Sequence, residues 1–216
     1  LGGLDFDDRL IGYAVDHFER ETGISLHSDR VAIQRIREAA ERAKIELSTL
    51  QATRIDVPFL AKDSTGILGL DMTISRAELE DLTGDLIDRS IDKARALFTQ
   101  AGLAFEDIDE VLLVGGQSRM PAVQQRVRQL FQKEPCKGVH PDEAVAVGAS
   151  IMAYSLAALS GPTISLLDAL PQPIGIEQGD GSFLPIFPKN CPLPHVRRMT
   201  LTNSKTDQKT IMLKLF

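Results

Sequence analysis

The chain has 216 residues, 43% of them apolar and 25% charged, with a formal charge of -6. That makes a soluble globular protein of one large or two modest domains, and no cluster of lysine and arginine is dense enough to follow a nucleic-acid backbone. No apolar run reaches the roughly 20 residues that cross a bilayer, the first residues form no secretory signal, and two isolated cysteines, Cys136 and Cys191, build no disulfide framework, which fits a reducing, cytoplasmic setting.

The opening LGGLDFDDRL lacks an initiator methionine and reads as the start of a piece cut from a longer chain. From Asp5 to Gly23, apolar residues recur at Phe6, Leu10, Ala14 and Phe18, which predicts one amphipathic helix stopped by Gly23. A second helix follows Ser28 or Asp29 as its cap. Its apolar set is Val31, Ile33, Ile36, Ala40 and Ile45 or Leu47, with dense charge elsewhere. Residues 53–59 and 67–74 alternate in strand fashion around the turn signal KDSTG and predict a hairpin. Ser75 and Glu78 form a capping box that opens a helix running to about Gly102. The run EVLLV (110–114) predicts a short buried strand of a helix-covered sheet. A helix from about Met120 to Phe131 and another from Asp142 to about Leu159 follow.

Beyond Ser160 the pattern changes to period two with turn residues between, so a domain boundary is expected between about 160 and 170. The roughly 45 residues after it hold three or four short strands, too few to close a sandwich and cover its own edges.

Two sets of residues carry chemistry. The first is the glycine pair Gly115–Gly116 after EVLLV, where a strand leads through bare backbone into a helix and a phosphate-bearing ligand can approach without meeting a Cβ. Glycine pairs also serve as plain tight turns, and neither a GxxxxGK[ST] nor a GxGxxG motif is present. The second set, Glu41, Lys44 and Ser48, has spacings of three and four and so shares one face of the second helix. A carboxylate, an ammonium and a hydroxyl placed this way suit ribose hydroxyls and a purine edge; equally, they suit a solvated face with a Glu41–Lys44 pair. Asp142, behind Pro141, has an alternative role as a helix-start residue. The four histidines, His17, His27, His140 and His195, fall at no zinc-ligand spacing.

The stretches LGGLDFDDRL, EAAERAKIELS, VLLVGGQSRMP, FQKEP, HPDEAVAVGA and SLLDALP occur in the order seen in the DnaK-type (heat-shock seventy) chaperones, and the chain resembles that family over essentially its whole length. The resemblance implies an α/β fold. Residues 1–160 would be lobe II of an actin and sugar-kinase-like nucleotide-binding domain, with a helical outer subdomain carrying the hairpin and part of the inner subdomain. Residues 161–171 would be the interdomain linker, and 172–216 the truncated start of the β-sandwich substrate domain. By position, Glu41, Lys44 and Ser48 would hold adenosine from one side, and Gly115, Gly116, Gln117 and Arg119 from the other, with Asp142 nearby. Ile176, Leu201, Ile211 and Leu213 would line a peptide groove, although at period two they also suit ordinary sandwich core.

The implied function is that of an ATP-dependent chaperone fragment binding unfolded segments under control of ATP or ADP. A J-domain cochaperone would act near the linker and a nucleotide exchange factor around the hairpin, with neither nucleic acid nor membrane as partner. The family's phosphate loops, catalytic lysine and magnesium-organising carboxylates precede the matching region. The resemblance therefore implies no catalytic or metal-binding residue here, no ATP hydrolysis by this polypeptide alone, and weakened nucleotide affinity. Three departures, Leu4 for the family's glutamate, Pro173 in the post-linker pattern and Gly179 at the peptide arch, motivate an alternative: a divergent member that binds nucleotide weakly and serves as an interaction protein.

Overall fold

The computed structural model describes residues 2–64, 66–138, 140–157, 167–178, 180–200 and 213–216. The chain divides into two compact units, 1–150 and 151–216. The linker residues Ile164 to Leu166, Gly179, Leu201 and Ile211 lie outside the described residues.

In the first unit, helix α1 (Gly3–Thr22) buries Phe6, Leu10, Ile11, Ala14, Val15 and Phe18 as the periodicity requires, and Gly23 closes it in the left-handed conformation. Helix α2 (Arg30–Glu46) is capped by Asp29, whose carboxylate accepts from the backbone N–H of Val31 and Ala32. The buried face of α2 keeps Ile36, Ala40 and Leu47 of the expected set, with Ile33 packed at its edge, but not Val31 or Ile45. Ala32, Ile36, Ala39, Ala40 and Ala43 point into the core, while Val31 and Ile45 are exposed. The alanines decide the orientation because their small side chains let α2 approach α1 closely.

Strands β1 (Ala52–Lys62) and β2 (Ile67–Ser75) form the expected antiparallel hairpin. Its register sets Ile55 opposite Met72 and Val57 opposite Leu70, so all four fall on the face that meets the helices. On the outer face Arg54 grips Asp71 through both carboxylate oxygens, at 2.5 and 2.6 Å, and these hydrogen bonds hold the Asp71 carboxyl below its usual range. The register slips between Val57 and Ala61. At this bulge Arg35 of α2 donates to the carbonyls of Pro58 and Phe59, at 2.6 and 2.8 Å. Gly69 lies opposite, where a Cβ would stand 2.9 Å from the Val57 carbonyl oxygen. Two more ties fix the hairpin base to the end of α2: Thr53 donates to Glu46, and Arg76 donates to the Leu47 carbonyl at 2.8 Å.

Ser75 begins α3 (Arg76–Ala101) with the predicted capping box. Its N–H donates to Glu78 at 2.8 Å and its hydroxyl at 2.6 Å, while the Glu78 N–H donates back at 3.2 Å. The Ser75 hydroxyl, then the Ser75 N–H, hold the Glu78 carboxyl below its ordinary value. Leu79, Thr83, Leu86 and Ile87 of α3 are buried, and no later residue of the helix is.

Phe98, near the end of α3, meets Phe105 and Phe131 ring to ring, with centroids 4.5 to 5.6 Å apart. Residues 110–114 are not the expected strand. They run as irregular chain with Leu112 and Val114 half exposed. Buried strands are made by hydrogen bonding to neighbours, and among the described residues no strand pairs with this run. Its one ladder-like bond goes from the Cys136 N–H to the Val111 carbonyl at 2.8 Å. Helix α4 (Pro121–Phe131) starts with proline at its first position, where the missing N–H costs nothing, and α5 (Ala144–Ala157) begins two residues later than Asp142.

After the end of α5, the second unit is built of short antiparallel pairs. β3 (Asp168–Ala169) pairs with β6 (Pro192–Leu193), and β4 (Ile174–Glu177) with β5 (Phe183–Phe187). A side chain at Gly175 would collide with the Leu184 carbonyl and the Phe183 ring. On the other edge of β4, Gly175 and Phe216 exchange N–H to carbonyl bonds at 3.1 Å. The fold is thus mixed, with helices and small antiparallel sheets.

Candidate functional site

The first wall of the site starts at the N-terminus of α1. The Gly2 N–H donates to Asp5 at 2.7 Å, which fixes the start of the helix at Gly3. One turn on, Asp7 falls on the buried stripe of α1 with Phe6, Leu10 and Ile11. Ala43 and Leu47 anchor the end of α2 in the core and bring Lys44 over Asp7. The Lys44 ammonium stands 2.7 Å from Asp7 Oδ1 and donates to the Gly3 carbonyl at 3.3 Å. Asp7 Oδ1 is shielded from solvent yet accepts no directed hydrogen bond, so the 2.7 Å approach is a contact of charges rather than an aligned bond.

Lys44 therefore pairs with Asp7, not with Glu41, which stays exposed. Ser48 is not on the face of α2. The helix ends at Glu46, and Ser48 occupies the turn beyond it, with its N–H on the Ile45 carbonyl at 3.1 Å.

The second wall is the glycine turn. Gly115 has φ 84° and ψ 148°, a region open essentially to glycine alone. Its N–H donates to the Pro141 carbonyl at 2.8 Å, and its own carbonyl accepts from the Ser118 hydroxyl at 2.6 Å. Residues Gly116–Arg119 then form a single 3-10 turn, and buried Met120 roots it. Arg119 binds Asp142 at 2.5 Å and approaches His140 Nε2 at 3.4 Å. Asp142 is thus a tie between two loops, and the Ala144 N–H that opens α5 is met by the His140 carbonyl at 3.0 Å.

The walls meet at Gly3. A Cβ there would lie 3.2 Å from the Lys44 ammonium and 3.6 Å from Gln117 Oε1, and one at Gly116 would lie 3.4 Å from Asp142 Oδ1. The structure thus brings together Lys44, Gly3 and Gln117, and joins Gly116, Arg119 and Asp142. Among the described residues, no hydrogen bond or ion pair ties Glu41 or Ser48 to the glycine turn.

Each cation at this site already has its own carboxylate, Asp7 for Lys44 and Asp142 for Arg119. The surface is therefore rich in donors and acceptors yet close to neutral, which suits the hydroxyls and base of a nucleoside better than its phosphates. The absence of a Cβ at Gly3 and at Gly116 keeps the backbone there within close reach of Lys44, Gln117 and Asp142. Among the described residues no three His, Cys, Asp or Glu side chains gather as a metal site. In the second unit Ile176 is buried, pairs with Leu184 and bridges to Leu215, whereas Leu213 is exposed.

Sequence reading missed Gly3 and Asp7. The signal for Asp7 was present: a carboxylate in the apolar stripe of an amphipathic helix needs a buried partner.

The family model described as Hsp70 protein matches residues 1–216, and the chain belongs to that family. Membership points to an ATP-dependent chaperone, in a family that binds ATP or ADP with Mg2+ and engages unfolded polypeptides and cochaperones. Among the described residues no helix is long and apolar enough to cross a membrane.

Proposed function

We propose that this chain supplies the nucleoside-holding wall of an ATP-dependent chaperone. Residues 1–160 act as lobe II of the nucleotide-binding domain, 161–171 as the linker, and 172–216 as the start of the β domain that grips unfolded peptide. The observation that carries the reading is the charge-compensated cluster at Gly3. There Lys44, Gln117 and open backbone stand together with both cations of the site neutralised. In this reading Glu41 and Lys44 take nucleoside hydroxyls, Ser48 the base edge, and Gly115, Gly116, Gln117 and Arg119 the opposite side, with Asp142 fixing Arg119. When bound, Mg2+ and the phosphates supply the hydrolytic chemistry; the residues described here orient the nucleoside. Ile176, Leu201, Ile211 and Leu213 line the peptide groove, the partners are unfolded clients, a J-domain cochaperone and an exchange factor, and the setting is cytoplasmic.

Calorimetric titration with ADP tests the site. Glu41 is exposed and unpaired with Lys44, so Glu41→Ala leaves the fold intact and is expected to weaken ADP binding about tenfold, the worth of one hydrogen bond to a charged group. Equal affinity in parent and variant would remove Glu41 from the site. Peptide release measured with and without ATP tests the chaperone cycle, and release indifferent to ATP favours the second reading, an interaction protein of the same family. Leu4, exposed at the mouth of the α1 wall, is the observation behind that alternative.

A further inference from the structure

Among the described residues Asp7 is the one charged side chain in the buried class. It sits in a stripe where leucine or alanine would complete the packing of α1 without desolvating a charge. From its place on the nucleotide reading above, we propose that Asp7 is a positioning residue for the nucleoside and acts through Lys44.

A lysine at the end of a helix ordinarily sweeps a wide arc, since its four-carbon stem has many rotamers. Here the side chains of Lys44 and Asp7 are 13% and 4% exposed, and the ammonium is trapped between the Asp7 carboxylate and the Gly3 carbonyl. An ammonium has three N–H donors. The Gly3 carbonyl takes one of them and the Asp7 carboxylate holds the charge at 2.7 Å, while the space left by the absent Cβ of Gly3 is bordered by the ammonium and by Gln117 Oε1. The carboxylate also cancels the charge of the ammonium, so the held group serves as an oriented donor to a neutral hydroxyl and not as an attractor for phosphate. Asp7 touches no ligand in this account. It fixes where Lys44 stands and what Lys44 selects.

Two measurements on the purified protein test this. Acylation of amines by an acetyl N-hydroxysuccinimide ester, mapped by mass spectrometry, reports how tightly Lys44 is held. Lys44 is expected to react several-fold faster in Asp7→Asn than in the parent, with Lys62 unchanged as internal reference. Titration with ADP and 2′-deoxy-ADP then reports the effect on ligand. Asp7→Asn is expected to weaken ADP about tenfold and to shrink the preference for ADP over the deoxy analogue, a ratio that a general loss of fold does not alter. Asp7→Glu keeps the charge but moves it by one methylene and is expected to narrow the same ratio at near-parent melting temperature, which covers the case that Asp7→Asn does not fold. Unchanged Lys44 acylation, or an unchanged ADP preference in whichever variant folds, overturns the assignment while the nucleotide reading stands. A parent protein that binds no ADP overturns the nucleotide reading itself, and the assignment with it.

Discussion

Residues 3–91 and 103–157 both carry many apolar side chains but close them differently. In the first stretch α1, α2, the hairpin and the front half of α3 enclose Leu10, Phe18, Ile36, Ile55, Leu70, Ile74 and Leu79, all essentially without solvent contact. In the second, α4 and α5 bury no residue, and Val145, Val147, Ile151 and Leu156 of α5 are at least half exposed although α5 is apolar on every side. An aromatic trio holds Phe105 and Phe131 to Phe98 of α3, and Met120 roots the glycine turn in the core. The lesson is that apolar pattern sets what a segment offers, while burial depends on what meets it. The candidate site has its lysine wall on the closed core and its glycine wall at the edge of that core, with Met120 inside it and Arg119 and Asp142 exposed.

The contrast predicts unequal costs. Phe18→Ala, in the closed core, is expected to lower unfolding free energy by about 3 to 5 kcal/mol in urea titration, whereas Ile151→Ser on α5 should change it by less than about 0.5 kcal/mol. Comparable losses would mean that α5 is packed in solution. Next in size is Gly115→Ala, which forces a side chain into a backbone region nearly closed to it, at about 1 to 3 kcal/mol. Because Gly115 itself is exposed and the turn lies outside the α1–α2 pair, the variant is expected to lose ADP affinity before it loses the α1–α2 core, as read by titration and far-ultraviolet circular dichroism together. Ser75→Ala, which breaks the capping box at the edge of the closed core, is expected to cost about 1 kcal/mol in thermal unfolding.

The smallest effect is on pH dependence. Hydrogen bonds from Ser75 lower the folded-state pKa of Glu78, and those from Arg54 lower that of Asp71. A group whose folded pKa lies below its unfolded value binds fewer protons when folded. Its stabilisation is thus fully present above the ordinary carboxylate range and is lost as pH falls through and below about 4. Both groups are solvent-facing, so screening keeps the effect small. A Glu78→Gln, Asp71→Asn double variant should show a flatter acid limb of stability against pH than the parent, and an identical limb would assign acid unfolding to other carboxylates.

Elements with local signals were legible in the sequence: α1 with its Gly23 stop, the hairpin around KDSTG, and α3 behind the Ser75–Glu78 box. The run at 110–114 was not, because a strand exists only through partners remote in sequence. The facing of α2 was legible at Ile36, Ala40 and Leu47 but not at Val31 and Ile45, which outrank alanine in hydrophobicity, while close approach of two helices rewards alanine. Of the site, the residue types near Gly3 were legible and their pairing was not. Spacing offered Glu41 as the partner of Lys44, and the fold supplied Asp7, 37 positions away from it along the chain.

The Arg35 brace at the bulge gives the hairpin a mechanical character. A two-stranded ribbon hinged only at its base would behave as a flap, its amides exchanging from the tip inward. Tied to α2 at Pro58, Phe59, Glu46 and Leu47, it is instead a beam clamped at mid-span and at its root. A load on that beam is carried into α2 as a whole, and the last turn of α2 is where Lys44 stands.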